Sequence, residues 1–216
     1  MRAVIFDFDG VVVDSQYHWD HGSTSHIQTI VPTWTRAHAP LLKGHNNVGC
    51  YKILREQFGL MLSPSEFDQH VHRFAFAVYH ELAQATVGVT ALLERLQRLV
   101  PTPSIASAGH QAWIEAALQR LNLRDHFDQI TTSSEVAHSK PAPDVYLKAA
   151  EKAGVLPANC LVIEDTDAGA AAGKAAGMTV IGFHPAGQDW QDMTMADRHI
   201  SHFDELTDAT LVSLLA

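Results

Sequence analysis

The chain has few of the residues and segments that mark several large classes of protein. It contains only two cysteines, Cys50 and Cys160, and no Cys-x-x-Cys pair, which argues against a disulfide scaffold and a cysteine-rich zinc site. No run of 18 or more apolar residues occurs, so we expect no membrane-spanning helix. A basic region followed by an apolar signal segment is also missing at the N-terminus, and we therefore expect a cytoplasmic protein.

Basic residues are scarce as well. The 15 lysines and arginines face 24 acidic residues, for a formal net charge of −9, which gives no support to a nucleic-acid partner. A small phosphorylated molecule remains possible, because a local cation can outweigh the overall sign of the charge. With 46% hydrophobic residues the composition is that of an ordinary globular protein, and 216 residues suit one domain with a sizeable insertion or two modest domains.

Histidine, by contrast, is abundant, with 14 residues in the chain. None of them belongs to a His-Glu-x-x-His zinc pattern. Because a metal site needs ligands that converge, we assign no common role to the histidines in the first part of the chain. Eight of them precede residue 81: His18, His21, His26, His38, His45, His70, His72 and His80.

The most informative stretch is the first fifteen residues. Residues 4–6 are apolar β-formers, typical of a buried parallel strand, and Asp7, Asp9 and Gly10 follow them. Two carboxylates on one side of a strand repel each other unless a cation or a shared proton relieves them. A hard cation such as Mg²⁺ would do so, and Gly10 would let the backbone turn close to a ligand. An acidic strand end without a ligand is the alternative interpretation.

The remaining chain divides into a helical part and an alternating part. Residues from about 15 to 80 show the helical spacing of apolar residues and no strong strand alternation. From residue 87 onwards, short apolar strands alternate with helices, which predicts a parallel sheet with helices on both faces. We therefore predict a doubly wound, Rossmann-like α/β core from residues 1–15 and 87–216, with an inserted α-helical bundle as a cap at residues 16–86. The polar segment 184–199 receives no assignment.

Three further polar groups follow predicted strands or lie in a loop beside them. Ser107 ends the second strand of the core and is followed by small residues, so its hydroxyl and nearby backbone N–H groups could bind an oxyanion. Lys140 lies in a Lys-Pro-Ala-Pro stretch and could meet a phosphate as a point charge. Glu164 and Asp165 end a third strand, at the sheet edge expected for Asp7. Taken singly, these groups could equally be a turn, a surface lysine and an acidic strand end.

Taken together and in order, the four pieces resemble the motifs of the haloacid dehalogenase superfamily. The first motif is Asp-x-Asp-Gly-Val-x-x-Asp-Ser at residues 7–15, and the others are Ser107, Lys140 and Glu164-Asp165. The resemblance covers essentially the whole chain. The chain is similar to the branch with an α-helical cap after the first strand, and it most resembles the β-phosphoglucomutase-like and sugar-phosphate phosphatase members of that branch.

The resemblance implies a role for each motif residue. The counterpart of Asp7 is a nucleophile that becomes an aspartyl phosphate, and the counterpart of Asp9 is a general acid and base. Counterparts of Ser107 and Lys140 bind the transferring phosphoryl group. The implied cofactor is Mg²⁺, held by Asp7, the backbone carbonyl of Asp9, Glu164 and Asp165. Substrate contacts are implied for a cap loop and for the turn after the second strand: Lys43, Gly44, His45, Asn46, Ala108 and Gly109.

These roles predict a Mg²⁺-dependent phosphatase of a small phosphorylated metabolite, a sugar phosphate in particular. A phosphosugar mutase of the β-phosphoglucomutase type is the alternative, but His18 lies one residue too close to the first motif and Arg73 is only a loose match for the cap lysine. A non-catalytic regulatory protein on the same fold is a third reading. Dehalogenation is rejected because Asp9 supplies an acid that a halide leaving group does not need. We expect a monomer or weak dimer without nucleic-acid or membrane partners.

Overall fold

The computed structural model describes residues 2–42, 47–100, 103–185 and 193–215. The chain forms two compact units, one from Met1–Asp14 with Gln84–Ala216 and the other from Ser15–Ala83. We call them the α/β unit and the helical unit. Among the described residues, every helix is too short or too polar to cross a lipid bilayer.

The α/β unit is built on a six-stranded parallel sheet, with strand order β5-β4-β1-β6-β7-β8. The other two strands of the described residues, β2 and β3, form a small two-stranded antiparallel sheet. The parallel sheet with flanking helices confirms the predicted α/β fold. In chain order the strands are β1 (Ala3–Phe6), β2 (Val13–Asp14), β3 (Gln84–Ala85), β4 (Ser104–Ser107), β5 (Ile130–Thr132), β6 (Cys160–Glu164), β7 (Thr179–Phe183) and β8 (Arg198–Ile200).

The helices occupy the segments between the strands and most of the inserted unit. Helices α1 to α3 lie in the helical unit, and α4 to α8 lie in the α/β unit. In chain order they are α1 (Ser23–Gln28), α2 (Asn47–Phe58), α3 (Pro64–Ala77), α4 (Val89–Leu96), α5 (Gln111–Arg120), α6 (Asp144–Ala153), α7 (Asp167–Ala175) and α8 (Asp208–Leu214).

The two central strands are buried along their whole length. Every residue of β1 and β6 is buried, as expected for parallel strands covered by helices. Helix α6 contributes Val145 and Ala149 to the core beside Val162, and α7 contributes Ala170. Burying each Val or Ile side chain of these strands contributes about 1.5–3 kcal/mol. The sheet therefore gives a rigid base for the side chains that follow its carboxyl ends.

The helical unit has its own core, formed by Val31, Trp34, Leu54, Leu60 and Phe67. These side chains are at most 4% exposed, so the unit has a buried core that is separate from the core of the sheet. Helix α3 begins at a capping box in which Ser63 accepts a hydrogen bond from the Glu66 backbone and Glu66 accepts one in return.

Two histidines join α1 to α3. The rings of His26 and His70 stack with their centroids 3.7 Å apart. The Nε2 atom of His26 lies 2.8 Å from the carbonyl oxygen of His70, and the Nε2 atom of His70 lies 3.1 Å from that of His26. Both contacts require a proton on Nε2, because a carbonyl oxygen only accepts. Burial lowers the pKa of both rings, and the nearby Arg73 lowers it further.

This pair predicts that the protein loses stability in mild acid. A histidine whose folded-state pKa lies below its ordinary value of 6.5 takes up its proton first in the unfolded chain. Unfolding is then favoured as the pH falls through 6.5 and towards the lower folded-state pKa. Comparing thermal unfolding at about pH 7.5 and about pH 5.5, we expect a smaller acid-induced drop in Tm for His70→Gln than for the unmodified chain. The control is His72→Gln, a half-exposed histidine on the same helix, which should keep the full drop; equal drops in all three proteins would contradict the prediction.

Candidate active site

Three strands bring the motif residues to one edge of the sheet. Phe6 of β1 is in register with Ile105 of β4 on one side and Ile163 of β6 on the other. The next residue on each strand therefore lies in one row across the sheet. The backbone N–H of Asp7 donates to the Ile163 carbonyl at 2.9 Å, which fixes the position of Asp7 at the end of β1.

Lys140 connects the members of this row. Its ammonium donates to Asp7 Oδ1 at 2.5 Å, to Glu164 Oε1 at 2.6 Å and to the Ala106 carbonyl at 3.2 Å. An ammonium has three N–H donors, so the three contacts use all of them. The side chain of Lys140 is only 8% exposed, and charge-assisted hydrogen bonds of this kind are short and strong when water is excluded.

Glu164 is the most heavily hydrogen-bonded carboxylate of the site. Its Oε1 accepts from Lys140 and from the Tyr146 hydroxyl at 3.0 Å. Its Oε2 accepts from the backbone N–H of Asp165 at 2.8 Å, and from both the backbone N–H and the hydroxyl of Thr166 at 2.9 Å. Sequence reasoning missed Tyr146 and Thr166, because a tyrosine inside a helix and a threonine at a helix start are ordinary residues there.

Burial and the neighbouring charges shift the pKa of Asp7, Asp165 and Lys140. Burial raises the pKa of Asp7, Glu164 raises it further and Lys140 opposes both. Burial and the charges of Glu164 and Asp7 raise the pKa of Asp165. Burial alone would lower the pKa of Lys140, but the charges of Asp7 and Glu164 outweigh it and hold that pKa well above its usual range. One ammonium thus faces an excess of negative charge.

The acidic cluster suits a hard cation. One carboxylate oxygen from each of Asp7, Glu164 and Asp165 lies within 4.8 Å of the others. The Oδ1 atom of Asp165 is buried and has no hydrogen-bond partner among the residues that the structure describes, and a buried polar atom without a partner is costly. Gly10, at φ +80°, brings the loop after β1 against the Asp165 carboxylate, where a Cβ would overlap it. Oxygen ligands of this kind are those that Mg²⁺ prefers.

Ser107 and Asp9 meet around Gly109. Ser107 ends β4, is 1% exposed, and its hydroxyl accepts a hydrogen bond from the Gly109 N–H at 2.9 Å. A Cβ on Gly109 would lie 3.2 Å from the Ser107 hydroxyl oxygen and 3.5 Å from Asp9 Oδ2, so all three are neighbours. Ala108 between them is exposed. The charge of Asp9 acts on Asp7 and raises its pKa, which places Asp9 in the same cluster.

The structure thus brings together every predicted site residue of the α/β unit that it describes: Asp7, Asp9, Ser107, Ala108, Gly109, Lys140, Glu164 and Asp165. The four predicted substrate contacts of the cap loop lie outside the described residues: Lys43, Gly44, His45 and Asn46. Whether the residues of either group perform their expected roles stays a prediction.

Comparisons with known proteins indicate the same family as the motifs do. Residues 4–183 match a family model described as haloacid dehalogenase-like hydrolase. The chain is 41% identical over 202 residues to a fructose-1-phosphate phosphatase of Escherichia coli (strain K12), covering 83% of this chain and 94% of the relative. It is 32% identical over 218 residues to a β-phosphoglucomutase of Bacillus subtilis (strain 168), covering 96% and 92%.

A solved structure agrees with these sequence matches. The crystal structure of a HAD family hydrolase from Deinococcus radiodurans R1, with bound phosphate and sodium, superimposes with a TM-score of 0.77 at 28% identity, over 99% of this chain and 96% of that one. The sequence match spans the four motifs, and the structural match spans the sheet that carries them. The chain therefore belongs to the haloacid dehalogenase-like hydrolases.

Proposed function

We propose that this protein is a phosphatase that transfers the phosphoryl group of a small sugar phosphate to Asp7 and then to water. The observation that carries the proposal is the arrangement of Lys140 between Asp7 and Glu164 at the carboxyl edge of the sheet. A buried carboxylate held by one ammonium, beside a cluster suited to a divalent cation, can attack an electrophilic phosphorus. Fixed positive charge around the phosphoryl oxygens then lowers the barrier.

Asp9 supplies the proton chemistry in this proposal. A sugar alkoxide is a poor leaving group, so an acid must protonate it as the P–O bond breaks. After giving up this proton, Asp9 is a carboxylate. It can then take a proton from the water that attacks the phosphorylated Asp7. The same carboxyl group thus acts first as an acid and then as a base. Its place beside Gly109 and Ser107 would put it near the phosphoryl group that those residues bind.

The cofactor in this proposal is Mg²⁺, held by Asp7, Asp165 and the backbone carbonyl of Asp9. Glu164 was also predicted as a ligand; its two oxygens already accept hydrogen bonds from five donors, so we assign it to orienting Lys140 and the loop after β6. When bound, the cation would supply positive charge that reduces the repulsion between these carboxylates and the phosphoryl oxygens.

The metal site predicts a specific gain in stability. Adding MgCl₂ to EDTA-treated protein should raise Tm by a few degrees, because a ligand that binds only the folded chain stabilises it. Asp165→Asn should remove this shift, since it removes one charged ligand. The control is Asp128→Asn, an exposed residue of the same unit, which should keep it. A Tm shift that survives in Asp165→Asn would place the ion elsewhere, and full turnover in the presence of EDTA would contradict the requirement for a metal.

The substrate assignment is supported by the relatives rather than by a contact in this chain. Two of them are named for action on fructose 1-phosphate and for β-phosphoglucomutase activity, which favours a sugar phosphate here. A mutase is the second candidate, because that relative covers nearly the whole chain. Two observations argue against a mutase. His18 lies one residue too close to the first motif, and Arg73, the loose match for the mutase's cap lysine, lies 3.4 Å from the His70 ring.

The product distinguishes these candidates. With fructose 1-phosphate or β-glucose 1-phosphate as substrate, we expect net release of inorganic phosphate, and added β-glucose 1,6-bisphosphate should not divert it. The physical reason is that a mutase must hold a second sugar hydroxyl in line and keep water out, which needs positioned groups that neither His18 nor Arg73 matches in spacing. Isomerised sugar phosphate as the main product would establish the mutase. No turnover of any phosphate ester in a broad panel would favour the regulatory protein.

A further inference from the structure

We propose that Tyr146 is a positioning residue for the reaction, because its ring and its hydroxyl together hold Lys140 and Glu164 in their working arrangement. The inference rests on the proposed function, in which Lys140 meets the phosphoryl group. Tyr146 belongs to none of the motifs and was not identified from the sequence.

The geometry places Tyr146 directly behind Lys140. Tyr146 lies on α6, is completely buried, and its ring centroid is 4.7 Å from the Lys140 ammonium nitrogen. That distance is within the range of a cation–π interaction, which is strongest where water is excluded. The hydroxyl at the other end of the ring donates to Glu164 Oε1 at 3.0 Å. One side chain therefore contacts both members of the Lys140–Glu164 ion pair.

The ring restricts where the ammonium can move. Lysine has a long, flexible stem, and its three donors here point at Asp7, Glu164 and Ala106. The ring covers a further side of the same nitrogen. Without it, the ammonium would have room to shift away from Asp7, or water would enter and weaken its field. Either change reduces the positive charge presented to a phosphoryl group on Asp7.

The hydroxyl restricts Glu164. Lys140 and Tyr146 donate to the same oxygen, Glu164 Oε1. If the hydroxyl is removed, this oxygen keeps Lys140 as its only side-chain donor among the described residues. The Lys140 ammonium is then attracted more strongly to Glu164 than before, and less of its charge is directed at Asp7. Burial and the neighbouring Glu164 raise the pKa of Tyr146 well above its usual value, so the hydroxyl remains a donor.

A buried tyrosine that only fills space is the competing explanation, since a buried phenol normally finds some hydrogen-bond partner. The test is Tyr146→Phe, which keeps the ring and removes the hydroxyl, and Tyr146→Leu, which removes both. The matched control is Tyr79→Phe, another buried tyrosine (3% exposed) whose hydroxyl accepts from the Trp19 indole N–H. Thermal unfolding of each variant reports its folding separately from its turnover.

We expect kcat for phosphate release to fall about tenfold in Tyr146→Phe, the size expected for one hydrogen bond to a charged group, and further in Tyr146→Leu, with KM nearly unchanged in both. Tyr79→Phe should keep kcat. Affinity for vanadate, which resembles the phosphoryl group in transfer, should fall in step with kcat. A Tm loss in Tyr146→Phe with unchanged kcat and vanadate affinity would overturn the proposal in favour of a space-filling role.

A double-substitution cycle makes the test independent of folding effects. In a Lys140→Ala background, Tyr146→Phe should lower kcat no further, because its effect acts through Lys140. Equal losses in both backgrounds would overturn the positioning role while leaving the proposed function intact. If Lys140→Ala itself kept full turnover, the proposed function would fail first, so the two failures are distinguishable.

Discussion

Asp7→Asn is expected to lower kcat for phosphate release by on the order of 10⁴-fold or more, the scale on which loss of a covalent nucleophile acts. Asparagine keeps the shape of the side chain, but its amide cannot form the acyl phosphate. Because Asp7 is a buried carboxyl whose pKa burial raises, a neutral amide should be tolerated without a large loss of Tm. Turnover and thermal unfolding of the same preparation separate chemistry from folding.

The control for this substitution is Asp128→Asn, which neutralises an exposed carboxylate of the same unit and should keep normal kcat and Tm. Residual turnover in Asp7→Asn above a few per cent, from protein free of deamidated material, would show that Asp7 is not the nucleophile. Loss of turnover together with collapse of Tm would show a structural role instead.

Lys140→Ala is the second substitution with a large expected effect, a fall in kcat of about 10³-fold with a smaller change in KM. The lysine contacts Asp7 and Glu164, and its charge is expected to act mainly in the transition state. Because its removal leaves buried carboxylates without their partner, Tm should fall as well. The measurement is a full kinetic comparison in saturating Mg²⁺.

Lys152→Ala is the matched control for that stability loss. Lys152 pairs with Glu135 at 2.6 Å and donates to the Ile130 carbonyl at 2.9 Å, so it is also a partly buried, bridging lysine of the α/β unit. It should lose Tm and keep kcat. Equal kcat losses in Lys140→Ala and Lys152→Ala would mean that both act through stability, and the role of Lys140 in catalysis would be wrong.

Much of the α/β unit could be predicted from local pattern. The apolar runs that end at Asp7, Ser107 and Glu164 are strands in the structure. A short, continuous run of apolar β-formers is typical of a strand that is buried on both faces in a parallel sheet. Parallel strands carry their carboxyl ends on one edge, so these polar residues were expected to meet. Their separations were not predictable, since they depend on the register of β1 with β4 and β6.

Other features leave little or no local signal. Strand β8 is three residues long, with Arg198 and His199 exposed, so it has no apolar run to detect. The β2–β3 pair joins Val13 to Ala85, and the helical unit lies between the two strands in the sequence. Local sequence patterns do not show that such distant residues pair. Tyr146 is the third case. Its position on α6 is equally typical of a core residue, and only its distances to Lys140 and Glu164 indicate a positioning role.

The same limit applies to the acidic cluster. The sequence predicts Glu164 and Asp165 as a pair at the end of β6, but does not distinguish their environments. In the structure Glu164 accepts hydrogen bonds at both oxygens, whereas Asp165 keeps a buried oxygen without a partner among the described residues. The difference arises because the turn after β6 directs the backbone N–H groups of Asp165 and Thr166 at Glu164.

The central claim is that Asp7 carries the phosphoryl group, and trapping that species tests it most directly. The Asp9→Asn variant should accept a phosphoryl group from a donor with a good leaving group, such as acetyl phosphate, yet lack the base that activates water. Acid quenching during turnover, followed by peptide mass spectrometry, should then find one hydroxylamine-sensitive phosphoryl group, on the peptide that contains Asp7. A phosphoryl group on any other residue, or none during a measured burst of leaving-group release, would contradict the account.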